Sequence, residues 1–178
     1  MCVSYRRLNA VVKPFQFPIS RCDDAITILR CSTVTIYIIS LDACQGYHQI
    51  TVRLSDQVFF TPDDLNYYFT VMLFEPTNAP GFYTATMKDF KTEWDTLFVI
   101  RITTLKSYEG QTITVTASQD ILIRVVKLVW ESKTIIDNIL LWCDKIKLIL
   151  ILFKCVCEVF KKYRGSFCMD KWEFLKKG

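Results

Sequence analysis

Turn-forming residues are scarce, with five glycines and five prolines among 178 residues. Such a supply excludes collagen-like and low-complexity chains. With 51% apolar residues and a mean hydropathy of +0.23, it points instead to packed strands and helices. The length suits one domain, or a piece of a larger one, with room for a buried core. Histidine is scarcer still, since His48 stands alone. That inventory argues against zinc fingers, H-E-x-x-H proteases and histidine-dependent triads. The eight cysteines form no C-x-x-C pair, and the opening Met1-Cys2-Val3-Ser4-Tyr5-Arg6-Arg7 lacks the apolar core of a signal peptide. A reduced, intracellular setting is therefore expected. The most apolar stretch, Ile135 to Phe160, is broken by Asp137, Asp144, Lys145, Lys147, Lys154 and Glu158, so no membrane span is expected. Excess charge is small as well: 22 Lys and Arg against 18 Asp and Glu give +4, which permits an anionic partner without requiring one.

What is present reads as alternating elements. The opening to Ser20, with Pro14 and Pro18 among aromatics, predicts an extended arm. Ser20 or Asp23 then caps a short helix to about Arg30, which explains Asp23-Asp24 as helix-start chemistry. Thr33 to Leu41 predicts a buried strand, His48 to Leu54 a second and Tyr67 to Phe74 a third, with Thr61-Pro62-Asp63-Asp64 as a turn. Pro80 to Leu97 has helical spacing at Phe82, Tyr83, Met87, Phe90 and Trp94. Phe98 to Trp130, rich in Thr, Val and Ile, predicts extra hairpins. Thr134 to Leu141 reads as a tight hairpin around Asp137-Asn138. Lys145 to Arg164 reads as a helix stopped by Gly165, or as a strand given its apolar run, and Ser166 to Leu175 closes the chain as a strand.

Two aspartates remain once the acidic pairs are explained. Asp42 ends an apolar strand, and Asp137 sits in the hairpin turn. Each alone is ordinary turn chemistry. Together they match the way a sheet presents carboxylates to Mg²⁺, a hard cation that favours oxygen ligands and phosphates.

Six segments, in order, resemble the reverse transcriptase of gypsy-type long-terminal-repeat retrotransposons. Val3-Ser4-Tyr5-Arg6-Arg7-Leu8-Asn9 is similar to V-D-Y-R-x-L-N, and Pro18 to Asp24 to P-[IL]-P-R-x-D-D. Ser40-Leu41-Asp42-Ala43-Cys44-Gln45-Gly46-Tyr47-His48-Gln49-Ile50 resembles S-x-L-D-x-x-x-G-Y-H-Q-I. Met72 to Pro80 resembles M-P-F-G-x-x-N-A-P. Ile135-Ile136-Asp137-Asn138 stands in the place of the [YF]-x-D-D box, and Lys171-Trp172-Glu173-Phe174 resembles K-C-E-F. The resemblance implies an α+β fold, the palm of a right-hand polymerase: a split β-α-β sheet with helices on one face, plus part of the fingers and no thumb. By the same resemblance, residues 1–34 are a fingers remnant and 35–97 and 134–178 the palm, while 98–133 is an insert that the family pattern does not explain, β-rich by its composition.

The implied activity is RNA-directed DNA synthesis with two Mg²⁺ or Mn²⁺ ions held by Asp42 and Asp137, Asn138 completing the catalytic set. Tyr47 would lie under the incoming sugar, and Phe74 and Glu75 would line the nucleotide pocket. The implied partners are an RNA or DNA primer-template and deoxynucleoside triphosphates, with Arg6, Arg7, Lys161, Lys162 and Arg164 as basic clusters facing nucleic acid. Two departures imply impaired chemistry. Asn138 replaces the second box aspartate, and Glu75 replaces a glycine beside the triphosphate. The alternative is a non-catalytic nucleic-acid-binding remnant of a transposable element.

Overall fold

Tyr37–Asp42 has the β-branched and aromatic composition that suits a pleated surface. In the computed structural model it forms an inner strand, β1, paired on both sides. The structure describes residues 4–18, 27, 37–57, 59–60, 67–108, 130–135 and 138–177. Around β1 stand a one-turn helix α1 (Arg6–Asn9), short strands β2 (Phe59–Phe60) and β3 (Tyr67–Tyr68), and a long helix α2 (Ala79–Tyr108). Strands β4 (Trp130–Ile135) and β5 (Asn138–Cys143), helix α3 (Ile146–Lys162) and strand β6 (Glu173–Lys177) complete it. The main sheet runs β4-β5-β1-β6, antiparallel throughout, with β2 and β3 paired separately.

Period-two alternation sets the two faces of the sheet. Ile39 and Leu41 on β1, with Ile139, Leu141 and Cys143 on β5, are fully buried. They join Tyr83, Met87, Trp94, Phe98 and Ile102 of α2 and Ile149, Leu152, Val156 and Val159 of α3 in one core. Both helices therefore cover the same face, and their apolar residues recur every three or four positions as that packing demands. Thr84, Thr86, Thr92, Thr96, Thr103 and Thr104 each donate Oγ1 to the carbonyl four residues back, at 2.7–3.0 Å. These bonds satisfy the hydroxyls of a helix otherwise rich in unfavourable β-branched residues.

The architecture is the α+β palm-like fold that the sequence implies, and several elements differ from expectation. The arm before residue 18 is not wholly extended, since Arg6–Asn9 closes one helical turn. The expected second strand is replaced by 3-10 turns at Gly46–Gln49 and Leu54–Asp56, with only Thr51 bridging to Val71. The third is cut to Tyr67–Tyr68 because residues 72–78 turn away toward α2. α2 continues to Tyr108, so the first part of the expected β-rich insert is helical, and Trp130 to Lys133 belong to β4. Residues 109–129, the short helix expected over 20–30 apart from helical Thr27, and the turn at 61–64 lie outside the described residues. The hairpin is present with longer arms, pairing Ile135 with Asn138. α3 is a helix, and Arg164, not Gly165, takes the left-handed turn at its end (φ 59°). The Gly165 amide then bonds to the Phe160 carbonyl at 2.7 Å. Before β6, Phe167 makes a single bridge to Ala43 and Met169–Lys171 forms a 3-10 turn. No described helix is long and apolar enough to cross a membrane.

Ion pairs tie the outer edges of the two helices. Arg101 donates to both carboxylate oxygens of Glu158 at 2.8 and 2.6 Å, which raises the guanidinium pKa above its ordinary value. Glu93 accepts from Lys162 at 2.6 Å and from the Tyr163 hydroxyl at 2.9 Å. Those bonds hold its pKa below the usual carboxylate range, so the pairing favours folding above that range and fades on acidification. These pairs are exposed, so Arg101→Met is expected to cost at most about 1 kcal/mol in urea unfolding, and less in high salt. A loss well above that would show that the pair, not the apolar stripe beneath it, holds the helices together.

Candidate functional site

The register of β1 against β5 sets Asp42 directly opposite Asn138. Cross-strand partners share a face. Ile39, Leu41, Ile139 and Leu141 point to the helices, so Asp42 and Asn138 lie together on the opposite face at the end of the β4–β5 hairpin, where Asn138 is exposed, while Trp142 further along that face is buried. Residues 136–137, which include the second expected metal ligand, lie outside the described residues.

Asp42 is tied to the strand that returns beside it. Its carbonyl accepts the Cys168 amide at 2.9 Å, and its Oδ2 lies 3.4 Å from the Lys171 ammonium on the Met169–Lys171 turn. The carboxylate is largely enclosed, 17% exposed, while Lys171 is 65% exposed. The Cys168 thiol has its pKa raised, first by its hydrogen bond to Cys44, then by burial, then by the neighbouring charge of Cys44 and of Asp42. Cys143, on the helix-covered face, is pushed up to about 11, chiefly by burial, and is chemically quiet.

The turn after β1 carries the aromatic part of the site. Gln45 adopts the left-handed conformation, which brings Gly46–Gln49 back under α2. Tyr47 is 7% exposed. Its ring stacks on Tyr83 at 4.7 Å and 12° and meets Phe74 at 4.7 Å, while His48 meets Phe74 edge-on at 5.0 Å. Gln49 fixes the other side of the turn. Its amide nitrogen donates to the carbonyls of Cys44 and, at 2.8 Å, Ser166, and its Oε1 accepts the Ser166 amide at 2.9 Å.

Two of the expected groupings are therefore brought together: Asp42 with Asn138, and Tyr47 with Phe74. Glu75 turns elsewhere. Its Oε2 accepts the Tyr5 amide at 3.4 Å and its carbonyl accepts from Asn9 at 3.1 Å, and its charge contributes, after burial, to raising the Tyr5 phenol. Asn78 extends this stitching, accepting the Phe15 amide at 2.8 Å and donating to the Lys13 carbonyl at 2.9 Å. The basic residues are divided between elements. Arg6 and Arg7 are exposed on α1, while Lys161, Lys162 and Arg164 surround the end of α3, where Lys162 is engaged by Glu93. The contacts made by Lys171, Gln49 and Asn9 were visible in the sequence only as motif letters.

At the end of the hairpin the paired donors are one carboxylate, Asp42, and one carboxamide, Asn138, while a second carboxylate on the same face, Glu173, stands opposite Ser40. Among the described residues no three His, Cys, Asp or Glu groups converge on a point that would hold a metal. Asp42 and Asn138 offer hard oxygens of the kind Mg²⁺ prefers, and the Lys171 ammonium competes for the carboxylate.

No family model matches the chain. Its fold is shared with solved structures. A foamy viral protease-reverse transcriptase in complex with double-stranded DNA aligns with a TM-score of 0.65 and 14% identity, over 97% of this chain and 24% of that one. The native prototype foamy virus protease-reverse transcriptase aligns at 0.59 and 16%, over 96% of this chain and 18% of that one. The chain thus spans a quarter or less of each of these two proteins, and across that span it carries a reverse-transcriptase-like α+β fold.

Proposed function

We propose that this chain is the palm-bearing segment of a gypsy-type retrotransposon reverse transcriptase, an RNA-directed DNA polymerase whose metal site is weakened. The observation that carries the reading is the register of Asp42 against Asn138, which sets a carboxylate at the mouth of the hairpin occupying the place of the metal box. In this reading Asp42 and Asp137 hold Mg²⁺ or Mn²⁺. Divalent ions there would supply Lewis-acid activation of a primer 3′-hydroxyl and stabilise the leaving pyrophosphate. Asn138 presents a neutral oxygen where a third carboxylate would add charge, so cation affinity falls. In this reading Tyr47, buried against Tyr83, would back the exposed Phe74 ring as an aromatic wall beneath the sugar of an incoming deoxynucleotide. Primer-template, RNA or DNA, would approach the Asp42–Asn138 end of that face of the sheet.

The test is Mn²⁺ titration of the 178-residue chain, read by loss of the free-ion resonance, with primer extension in parallel. Asn138→Asp should tighten Mn²⁺ binding by roughly tenfold through the added ligand charge, and Asp42→Asn should abolish it. Binding indifferent to Asp42→Asn would overturn the assignment. Duplex binding unchanged by either substitution, without nucleotide incorporation, would favour the non-catalytic nucleic-acid-binding remnant, to which Asn138 lends its own support.

A further inference from the structure

Helix α3 buries one side against the sheet and α2 through Ile149, Leu152, Val156, Val159 and Phe160. On its other side Lys147, Lys154 and Lys161 recur at seven-residue intervals, and all three are exposed. Seven residues make two turns less about 20°, so the lysines form one line down the outside of the helix in steps of about 10.5 Å. Among the described residues none of the three is engaged in an ion pair. Glu158, the acidic residue in the path of the line, has both carboxylate oxygens taken by Arg101, and Lys162 is turned to Glu93 on α2. Exposed Lys145 and Arg164 add charge at the two ends. Helix chemistry explains only part of this pattern. Lys161 and Lys162 complement the negative end of the helix dipole, but Lys147 sits in a first turn that holds no acidic residue, where positive charge is disfavoured.

The geometry points to the outer side of α3 as a second binding surface, one that takes the phosphate backbone of a nucleic acid duplex. α3 covers the face to which Ile39 and Leu41 point, and Asp42 points the other way, so this surface and the Asp42–Asn138 end lie on opposite sides of the sheet. Charge carries the choice of partner. A line of ammonium groups fixed on a core-anchored helix complements a polyanion of regular spacing, and its length of about 21 Å matches about six successive phosphates of one strand at about 3.4 Å of axis each. Between the lysines stand Leu150, Ile151, Cys157 and Glu158, with no aromatic ring on which the bases of a single strand could stack. A membrane surface fits less well, because an interfacial helix sinks its apolar side into lipid and that side of α3 is already in the core. Contacts to phosphates alone hold a duplex without reading its sequence. The surface does not depend on whether the chain binds metal or polymerises DNA.

The test is fluorescence anisotropy of the 178-residue protein with a short labelled DNA duplex of mixed sequence, over a series of KCl concentrations. Each phosphate contact contributes about −0.9 to the slope of log affinity against log salt, so the triple variant Lys147→Gln, Lys154→Gln, Lys161→Gln should flatten that slope by about 2.7. Between about 50 and 200 mM salt the native protein should therefore lose about forty-fold more affinity than the variant. In the native protein, acetylation of amines read by mass spectrometry should show Lys147, Lys154 and Lys161 protected by the duplex. Absence of duplex binding at low salt, a slope unchanged in the triple variant, or protection confined to other lysines would overturn the proposal. So would binding to phosphatidylserine vesicles without binding to the duplex. The acetylation map reads the unaltered chain, so it decides the matter even if the variant folds poorly. Neither readout involves Mn²⁺, so failure here and failure of the metal-site reading are separate results.

Discussion

Trp94→Ala is expected to lower the melting temperature by roughly 6–20 °C, with Phe98→Ala close behind. Both side chains are fully buried, and each stands on α2 between the sheet and α3. Removing a large aromatic from such a site costs about 3–5 kcal/mol, because the transfer energy is lost and the cavity closes only in part. In a domain of this size each kcal/mol shifts melting by about 2–4 °C. Ile100 supplies the control. It lies on the same helix at 56% exposure, so Ile100→Ala should change stability by no more than about 0.5 kcal/mol. Differential scanning calorimetry of the three variants separates the two faces, and a Phe98→Ala protein that melts like the native one would show that the helix does not carry the core past residue 97.

That result bears on the place where local pattern and structure diverge most. Residues 98–108 are dense in Val, Ile and Thr, so their local preference is for strand. Helix wins there because Phe98 and Ile102 fall on the stripe already begun by Tyr83, Met87 and Trp94, and burial outweighs a few tenths of a kcal/mol of propensity per residue. The threonine hydroxyls there are bonded within the helix, so they are satisfied without leaving it. The stretch 48–54 departs from its pattern for the opposite reason. It alternates like a strand, yet Tyr47 and Gln49 each find partners in distant segments that a strand could not deliver to both. The β4–β5 hairpin was legible because short-range pattern and tertiary packing agree there, whereas the near-continuous apolar run of α3 left helix and strand both open until its packing against the sheet and α2 settled it.

The site was legible in its letters and much less so in its contacts. The motif spacing placed Asp42 at a strand end, and the register then put it opposite Asn138. Nothing local announces that Lys171, 129 residues further on, would reach the same carboxylate. Nor does sequence alone show that Glu75 would spend its side chain on the Tyr5 amide, away from the Tyr47–Phe74 pair. Where the motif that this segment resembles has glycine, the Glu75 carboxylate is taken into the stitching between the N-terminal arm and the loop before α2, alongside the Asn9 and Asn78 bonds. Long-range polar contacts of this kind depend on which segments the fold brings together, and the letters carry no distance.

Gly46→Ala is the second substitution expected to have a large effect, and it connects the core to the aromatic wall. A Cβ added at Gly46 would fall against the Tyr83 hydroxyl and lie 2.9 Å from Cζ of that ring. Ordinarily a side-chain tip can swing aside. Tyr83 is 2% exposed and stacks on Tyr47 at 4.7 Å, so its ring has nowhere to go without opening that stack. Overpacking of this kind costs about 1–3 kcal/mol. The glycine is thus required by the close approach of a ring, and its backbone is not in the left-handed region, which the preceding Gln45 occupies. The distinction has a measurable consequence. Tyr83→Ala should make Gly46→Ala nearly harmless, giving a coupling of about 1–2 kcal/mol in a double-mutant cycle read by urea unfolding, whereas a glycine needed for its backbone would stay costly in either background. In the single variant the displaced ring should also disturb Tyr47, visible as altered near-ultraviolet dichroism. Additive costs for the two substitutions, or an unperturbed tyrosine spectrum in Gly46→Ala, would show that the wall is not built on the contact between Gly46 and Tyr83.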